Sequence, residues 1–477
     1  MRDYIELEDG SKVELRDLVS RVPYTCFLTP AHIEICTRLA RLCLLPPTEH
    51  IVYVNLLFVH GWHAKELSAL LLLTARRELK VRRVVMRTPI ETLRDLLDPT
   101  VQVTQAHPVR KSFLRYRRYA WQFVKIASHR LFRLFRKRNV QANTVIRAYV
   151  DSVDGAYPEL IQQTLLLIYP FKISLRRQRK YLRLCWSQNR NVSLVGFPYR
   201  FFDYWRLILG CFRRDLTLVK METIVHCRHA QDFLAMKAER IYCDSESETA
   251  GTALHGELRA AGIRSINSSH GIGVYGPHVD FNEFVCFNRQ QQRYYARFGR
   301  VDQFKSKQLD NLPAAIPPRQ SPFQPVVVFL HGNWKRVGKL YESDFQDRAL
   351  AVVSRASQEL KIPFAFKPHP NSGSSWKQTI PPDQSIQIIK NLAELGDRPL
   401  IFLNLMSTSF YGNLAIGPTI FLGDNLIDPT QLFGPQIEAS NLAQLPNQLS
   451  ALLDQTNWRS YWSNQITRER DSRNLEN

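Results

Sequence analysis

Two stretches decide how this chain reads: Pro363-Phe364-Ala365-Phe366-Lys367-Pro368-His369-Pro370 and, further on, Ile401-Phe402-Leu403-Asn404-Leu405-Met406-Ser407-Thr408-Ser409-Phe410. Each is a short apolar run that breaks off into polar, donor-rich residues. Runs of this length between loop signals predict buried strands of a parallel sheet. Ligands of such sheets bind beyond the carboxyl ends of the strands, where Lys367, His369 and Ser407 to Ser409 fall. The second run continues from Phe410 to Gly417-Pro418 as a short helix stopped by Gly-Pro, with Ser407 or Thr408 as its N-cap. Backbone N–H groups and hydroxyls at a helix start suit an anion. Lys367 and His369 would bring charge and a donor to the same phosphate, so the pattern predicts a nucleotide-phosphate pocket.

The flanking sequence supports a nucleotide-binding unit. Val326 to Leu330 predicts the strand that opens it, and Phe345 to Leu360 a helix. Thr419 to Gly423 predicts a further strand, and 443–477 a closing helix with a polar end. His331, Asn333 and Lys335 lie in a strand-end loop suited to a diphosphate or the transferred group; the same residues also fit an exposed basic loop. Residues 303–324, with four prolines among Gln, Ser and Asn, have the composition of a linker.

Upstream, Arg240 to Asp244 predicts a strand, Thr249 to Ala261 a helix, and Ser265 to Gly273 a strand entering a glycine-rich turn. Phe284 to Phe287 and Arg289 to Phe298 follow as strand and helix. His270 in that turn is a candidate general base, because imidazole titrates near neutrality and the glycines admit a substrate close to the backbone. A structural turn hydrogen bond is the plainer reading, and His278 is a second candidate. A strand from Val145 runs toward Asp154-Gly155, which reads either as a turn or as a carboxylate presented at a strand end.

The Lys-Pro-His-Pro turn followed by Ser-Thr-Ser resembles the paired HP and S/T motifs of bacterial transferases of the two-domain GT-B architecture. These are capsule polysialyltransferases, Kdo transferases and CDP-glycerol glycerophosphotransferases. The resemblance covers roughly residues 239–435 and the first half only in outline. It implies an α/β fold of two Rossmann-like domains facing a cleft. It also implies a cytidine-nucleotide donor held by Lys367, His369, Pro370, Ser407, Thr408 and Ser409. His270 matches the proposed base of the polymerases. Asp154-Gly155 matches part of the acidic-acidic-glycine motif of the sialyltransferases, whose first acidic place is Val153 here.

The front of the chain is less specific. Residues 1–48 read as a cap on the main domain, with Glu8-Asp9-Gly10 an acidic turn and Pro46-Pro47 closing the section. Ile51 to Val59, rich in β-branched residues, predicts a strand. It leads to a helix over Ala64 to Glu78 and a strand over Val81 to Met86, the opening of a doubly wound domain.

Charge is the unusual total: 64 Lys and Arg against 43 Asp and Glu give a formal +21. Eleven of those cations lie between Arg110 and Arg138, in a stretch from Pro99 to Val150 that holds no acidic residue. Apolar residues recur there at steps of three and four, so 110–138 predicts an amphipathic helix with a cationic face. It would pack on the core or lie on an anionic membrane surface. The start of the chain lacks a signal-peptide layout, and no apolar run approaches membrane-spanning length. The eight scattered cysteines lack metal or CxxC spacing, which favours reduced thiols.

The expected organisation is an acceptor-side domain over 1–302, a linker over 303–324 and a donor-binding domain over 325–477. The expected activity is metal-independent transfer, without a cofactor, from a nucleotide-activated donor to a polysaccharide or lipid-linked acceptor, in the cytoplasm on the inner face of the cell membrane. A UDP-sugar donor, a nucleic-acid-binding protein and a non-catalytic scaffold are the alternatives. No RRM, KH, helix-turn-helix or zinc pattern supports specific nucleic-acid binding.

Overall fold

A computed structural model describes residues 4–14, 45–59, 80–86, 102–105, 141–148, 165–168, 192–194, 217–244, 250–269, 276–307, 322–331, 345–369, 386–405, 407, 409–423 and 429–474. It also describes Ile33, Glu34, Thr37, Arg41, Phe202, Glu246, Glu248, Gly271, Leu312, Pro313 and Ile316. The helix expected over 64–78, the basic segment 110–138, Asp154, His270, Asn333, Lys335, Pro370 and Thr408 lie outside these residues.

The opening stretch is the centre of a six-stranded parallel sheet: β12 (Val326–Leu330), β13 (Phe364–Lys367), β14 (Gln387–Ile388), β15 (Leu400–Asn404), β16 (Thr419–Leu422) and β17 (Ala439–Ser440). Its order is β14-β13-β12-β15-β16-β17. Numbered along the chain this is 3-2-1-4-5-6, the order of the dinucleotide-binding fold. Val-Val-Val-Phe-Leu of β12 and Leu-Ile-Phe-Leu-Asn of β15 are buried along their whole length, as central strands covered on both faces require. Alternate residues divide between the faces. Val327, Phe329, Ile401 and Leu403 pack with Leu350 and Val353 of a helix over Phe345–Glu359, and with Trp458 and Trp462 of a C-terminal helix over Gln455–Asn474. Val326, Val328, Leu400 and Phe402 join a second cluster. The indoles of Trp458 and Trp462 donate to the carbonyls of Leu400 (3.1 Å) and Leu414 (2.8 Å), anchoring the C-terminal helix.

The second parallel sheet has seven strands: β5 (Thr144–Ala148), β6 (Leu165–Ile168), β7 (Val192–Leu194), β8 (Arg240–Cys243), β9 (Arg264–Ser268), β10 (Asp280–Cys286) and β11 (Arg300–Ser306). Its order, β11-β10-β9-β8-β5-β6-β7, repeats the same scheme with one strand added. Phe233 of α2 (Thr217–Ala235) and Leu254 and Leu258 of α3 (Gly251–Ala260) cover β5 and β8 through Val145 and Ile241. Two Rossmann-like sheets in one α/β chain make the GT-B architecture. Their carboxyl edges meet where the Phe287 ring, just past β10, stacks on Tyr411, just past β15, with centroids 5.6 Å apart.

Three expectations need correcting. Ile51 to Val59 is not a strand: it belongs to the helix α1 (Pro47–Val59). Pro47 is its first residue, the place where a missing N–H costs nothing, and His50 N donates to Pro46 O at 2.8 Å. Packing of Val52, Tyr53 and Val54 in the interior overrides their β propensity. Val81–Met86 is a strand, β3, but not of the main sheet. It pairs antiparallel with β1 (Tyr4–Leu7) and parallel with β4 (Gln102–Gln105) in a four-stranded sheet completed by β2 (Lys12–Glu14). The Glu8-Asp9-Gly10 turn closes the β1–β2 hairpin, with Gly10 at φ +79. Residues 303–306, assigned to the linker, are part of β11. An edge strand exposed along most of its length has the polar composition of a connector, which is why it read as one.

Candidate functional site

In the six-stranded sheet the strand order reverses at β12, which puts the topological switch point, the usual ligand position in such sheets, between the carboxyl ends of β12 and β15. The sequence delivers its candidate groups there. His331 follows β12 and is nearly buried; its backbone N donates to Lys367 O at the end of β13 (3.0 Å), and its ring lies 5.4 Å from that of Phe366. His369 lies two residues beyond Lys367. Burial, and then the Lys367 charge, hold its imidazole below the usual histidine range, favouring the neutral ring.

On the other flank Asn404, fully buried at the end of β15, grips Ser407 from both sides. Its Oδ1 accepts from Ser407 N (2.7 Å) and its Nδ2 donates to Ser407 O (2.9 Å). The Ser407 and Ser409 hydroxyls lie 2.7 Å apart, and Ser409 N donates to Ser407 Oγ (3.3 Å). The helix that follows, Phe410–Asn413, has only four residues, and its N-cap is Ser409, with helical dihedrals and no side-chain cap bond. This corrects the expected Ser407 or Thr408 cap: Ser407 is committed to a turn with Asn404. What the loop offers an anion is a pair of hydroxyls on a fixed backbone, with little helix dipole behind it.

The equivalent switch point of the seven-stranded sheet is filled. Arg147, near the end of β5, forms a two-pronged ion pair with Glu248, at 2.6 and 3.1 Å, with side chains 4% and 1% exposed. His226 Nε2 stands 3.9 Å from Glu248. Burial lowers the imidazoles of His226, His229 and His255, the last to about 3.

Beside it lies a network that sequence reading missed. Glu246, 2% exposed, accepts from Asn267 Nδ2 (3.2 Å) and Ser269 Oγ (3.0 Å). Ser269 Oγ also lies 2.9 Å from Gly271 O. Gln291, in α4 (Arg289–Phe298), donates through Nε2 to Ser269 Oγ (2.8 Å) and Gly271 O (3.1 Å), while its Oε1 accepts from Phe287 N (2.9 Å). Lys307 Nζ donates to Ser269 O (3.0 Å) and stands 4.3 Å over the Phe287 ring. Burial holds this lysine below its ordinary value, with Glu246 and Asp244 pulling the other way. A glutamine in register with Tyr294, Tyr295 and Phe298 at helical spacing was the available signal, since Gln291, Tyr294 and Tyr295 are all buried. Lys307 was hidden in the supposed linker.

His278 is occupied elsewhere. Its Nδ1 donates to Phe298 O (3.0 Å), and its backbone is clasped by Asn55 of α1, which donates to His278 O (2.9 Å) and accepts from His278 N (3.1 Å). Burial lowers its pKa. Its Nδ1 and backbone are thus engaged in structural hydrogen bonds.

The two parallel sheets thus define an α/β fold of two Rossmann-like units, with the buried Arg147–Glu248 pair at one switch point and His331 and Ser407 beside the other. No family model and no curated protein matches the sequence. Among solved structures the chain aligns with a glycosyltransferase from Rickettsia africae ESF-5 at 10% identity, over 71% of this chain and 98% of that one, with a TM-score of 0.41. It aligns with an α,α-trehalose 6-phosphate synthase from Burkholderia multivorans at 10% identity (70% and 95% covered, TM-score 0.42). For the glycosyltransferase SnogD from Streptomyces nogalater the values are 11%, 70% and 96%, and 0.37. Likenesses of this grade say nothing of substrate; the strand orders define the fold.

Proposed function

We propose that the protein is a transferase that moves a glycosyl or polyol-phosphate group from a cytidine-nucleotide donor to an acceptor hydroxyl during assembly of a bacterial surface polysaccharide. The observation that supports this reading is that His331, Lys367, His369, Ser407 and Ser409 all fall at or just beyond the carboxyl ends of β12, β13 and β15, the strands that flank the switch point of the six-stranded sheet. The resemblance of Lys-Pro-His-Pro and Ser-Thr-Ser to cytidine-nucleotide transferases narrows the donor.

In this reading Lys367 supplies a standing positive charge. His369, neutral in the free protein, takes up a proton as the phosphate arrives, and Ser407 and Ser409 donate to phosphate oxygens. Pro370 and Thr408 complete the nucleotide-binding set that the resemblance implies, while Asn333 and Lys335 join His331 on the second phosphate or the transferred group. Together they stabilise the charge that develops on the departing nucleotide. His270 or Asp154 accepts the proton of the attacking hydroxyl. The new bond joins the acceptor oxygen to the transferred group, and the bond to the nucleotide phosphate breaks. The basic segment 110–138 holds the enzyme on the anionic inner face of the cell membrane, where a polysaccharide or lipid-linked acceptor is presented.

The test is release of CMP from a CMP-sugar or from CDP-glycerol in the presence of bacterial membrane extract, compared with nucleotide release from UDP-sugars. Release from a cytidine donor, abolished by His270→Ala or by Asp154→Asn, is expected. Release from UDP-sugars alone would replace the donor, and no release from any of them would sink the reading.

A further inference from the structure

Ser269 and Gly271, which flank His270 in sequence, are both held by side chains from outside their own strand. Gln291 reaches Ser269 Oγ and Gly271 O from α4, Lys307 reaches Ser269 O from beyond β11, and Glu246 closes the network from beyond β8. Gln291 is 1% exposed and its amide is used at both ends, since its Oε1 takes the backbone N–H of Phe287. A buried amide with donors and acceptor engaged fixes its neighbours more tightly than any single contact would.

The same segment touches the other sheet. Phe287 stacks on Tyr411 with rings inclined by 22°, and Asn288 Nδ2 donates to Tyr411 Oη at 2.9 Å. Tyr411 is the second residue of the short helix that begins directly after Ser409. One continuous chain of contacts therefore runs from Gly271 through Gln291 and Phe287 to Tyr411, and so to the serine pair.

We propose that Gln291 and Lys307 are positioning residues: they hold Ser269 and Gly271, the neighbours of His270 in sequence, in register with Ser407 and Ser409, with Tyr411 as the point of docking between the sheets. This rests on the reading of His270 as base. A displacement of about 1 Å of such a group costs on the order of 100-fold in turnover, which sets the size of the expected effect.

The experiment uses the full chain and hydrogen–deuterium exchange, with CMP as the probe, on Gln291→Leu and Lys307→Met. Both variants should exchange about ten-fold faster or more in the peptide covering 268–276, leave peptides of β12 to β16 unchanged, and bind CMP with unaltered affinity. In wild type CMP should slow exchange in that peptide; in Gln291→Leu it should not. Turnover should fall about 10- to 100-fold in both variants. Unchanged exchange at 268–276, or a rise spread over the whole chain, overturns the proposal. If His270→Ala is inactive while Gln291→Leu keeps turnover within two-fold, the positioning role alone fails. If His270→Ala keeps full turnover, the reading of the base fails with it.

Discussion

Arg147 and Glu248 close one switch point of this protein with a buried two-pronged ion pair, whereas the corresponding place in the other sheet is lined by His331 and Ser407. The pair sits in an interior that also holds three histidines whose pKa values burial depresses. Removing one partner takes the two-pronged contact away from the other, buried charge. Arg147→Ala should destabilise the protein by about 3–5 kcal/mol, while Arg147→Met with Glu248→Leu should recover much of the loss. Urea unfolding measures both. A cost below about 1 kcal/mol for the single variant would show the pair to be open to water.

Stability should fall in acid through the buried histidines. The folded pKa of His255 is about 3 against 6.5 for the free side chain, and His226 and His229 are shifted the same way. Above pH 6.5 neither state binds the proton and nothing is lost. Below it the unfolded chain takes up protons that the folded chain refuses. His255 alone then removes about 1.4 kcal/mol per pH unit down to its folded value. Urea midpoints from pH 7.5 to 5 should decline, and His255→Asn should flatten part of the slope. A midpoint that rises in acid would contradict the burial.

These two features were not legible in the sequence. Arg147 and Glu248 are 101 positions apart, and Ser245-Glu246-Ser247-Glu248 looks like a solvated acidic turn. The parallel sheets were legible because Val326–Leu330 and Leu400–Asn404 are unbroken apolar runs with polar ends, which only a strand covered on both faces needs. Helix α1 was misread because β-branched residues at 51–54 spoke louder than the Pro47-Thr48-Glu49 start. Strand-end logic placed Lys367, His369, Ser407 and Ser409 at or beyond the ends of β13 and β15, where they lie, but the commitment of Ser407 to Asn404 depends on a turn that no spacing rule specifies.

Nucleotide binding should depend on pH through His369. Its pKa is lowered in the free protein, and a bound phosphate would raise it, so binding takes up a proton between the two values. Affinity for CMP should therefore rise as pH falls from about 8 to 6.5, near the ordinary histidine range. His369→Gln should bind more weakly and lose this dependence. Calorimetry in buffers of different ionisation enthalpy reads the proton directly; a pH-independent wild type would remove His369 from the phosphate.

Gly417 marks a close approach rather than a special backbone angle. A Cβ there would lie 2.6 Å from the carbonyl oxygen of Leu400, which belongs to a central strand and has no room to retreat. Gly417→Ala should cost about 1–3 kcal/mol, read as a lowered urea midpoint with an unchanged slope. A neutral substitution would mean that the turn after residue 416 can slide away from β15.

Binding of a cytidine-nucleotide phosphate beside the carboxyl end of β12 is tested most directly by thermal stabilisation with CMP, CDP, UDP and GDP. Wild type should be stabilised by CMP or CDP, with the shift lost in His369→Ala and Ser407→Ala and kept in Arg147→Met. Equal shifts in the His369 and Ser407 variants, or none with any nucleotide, would contradict it.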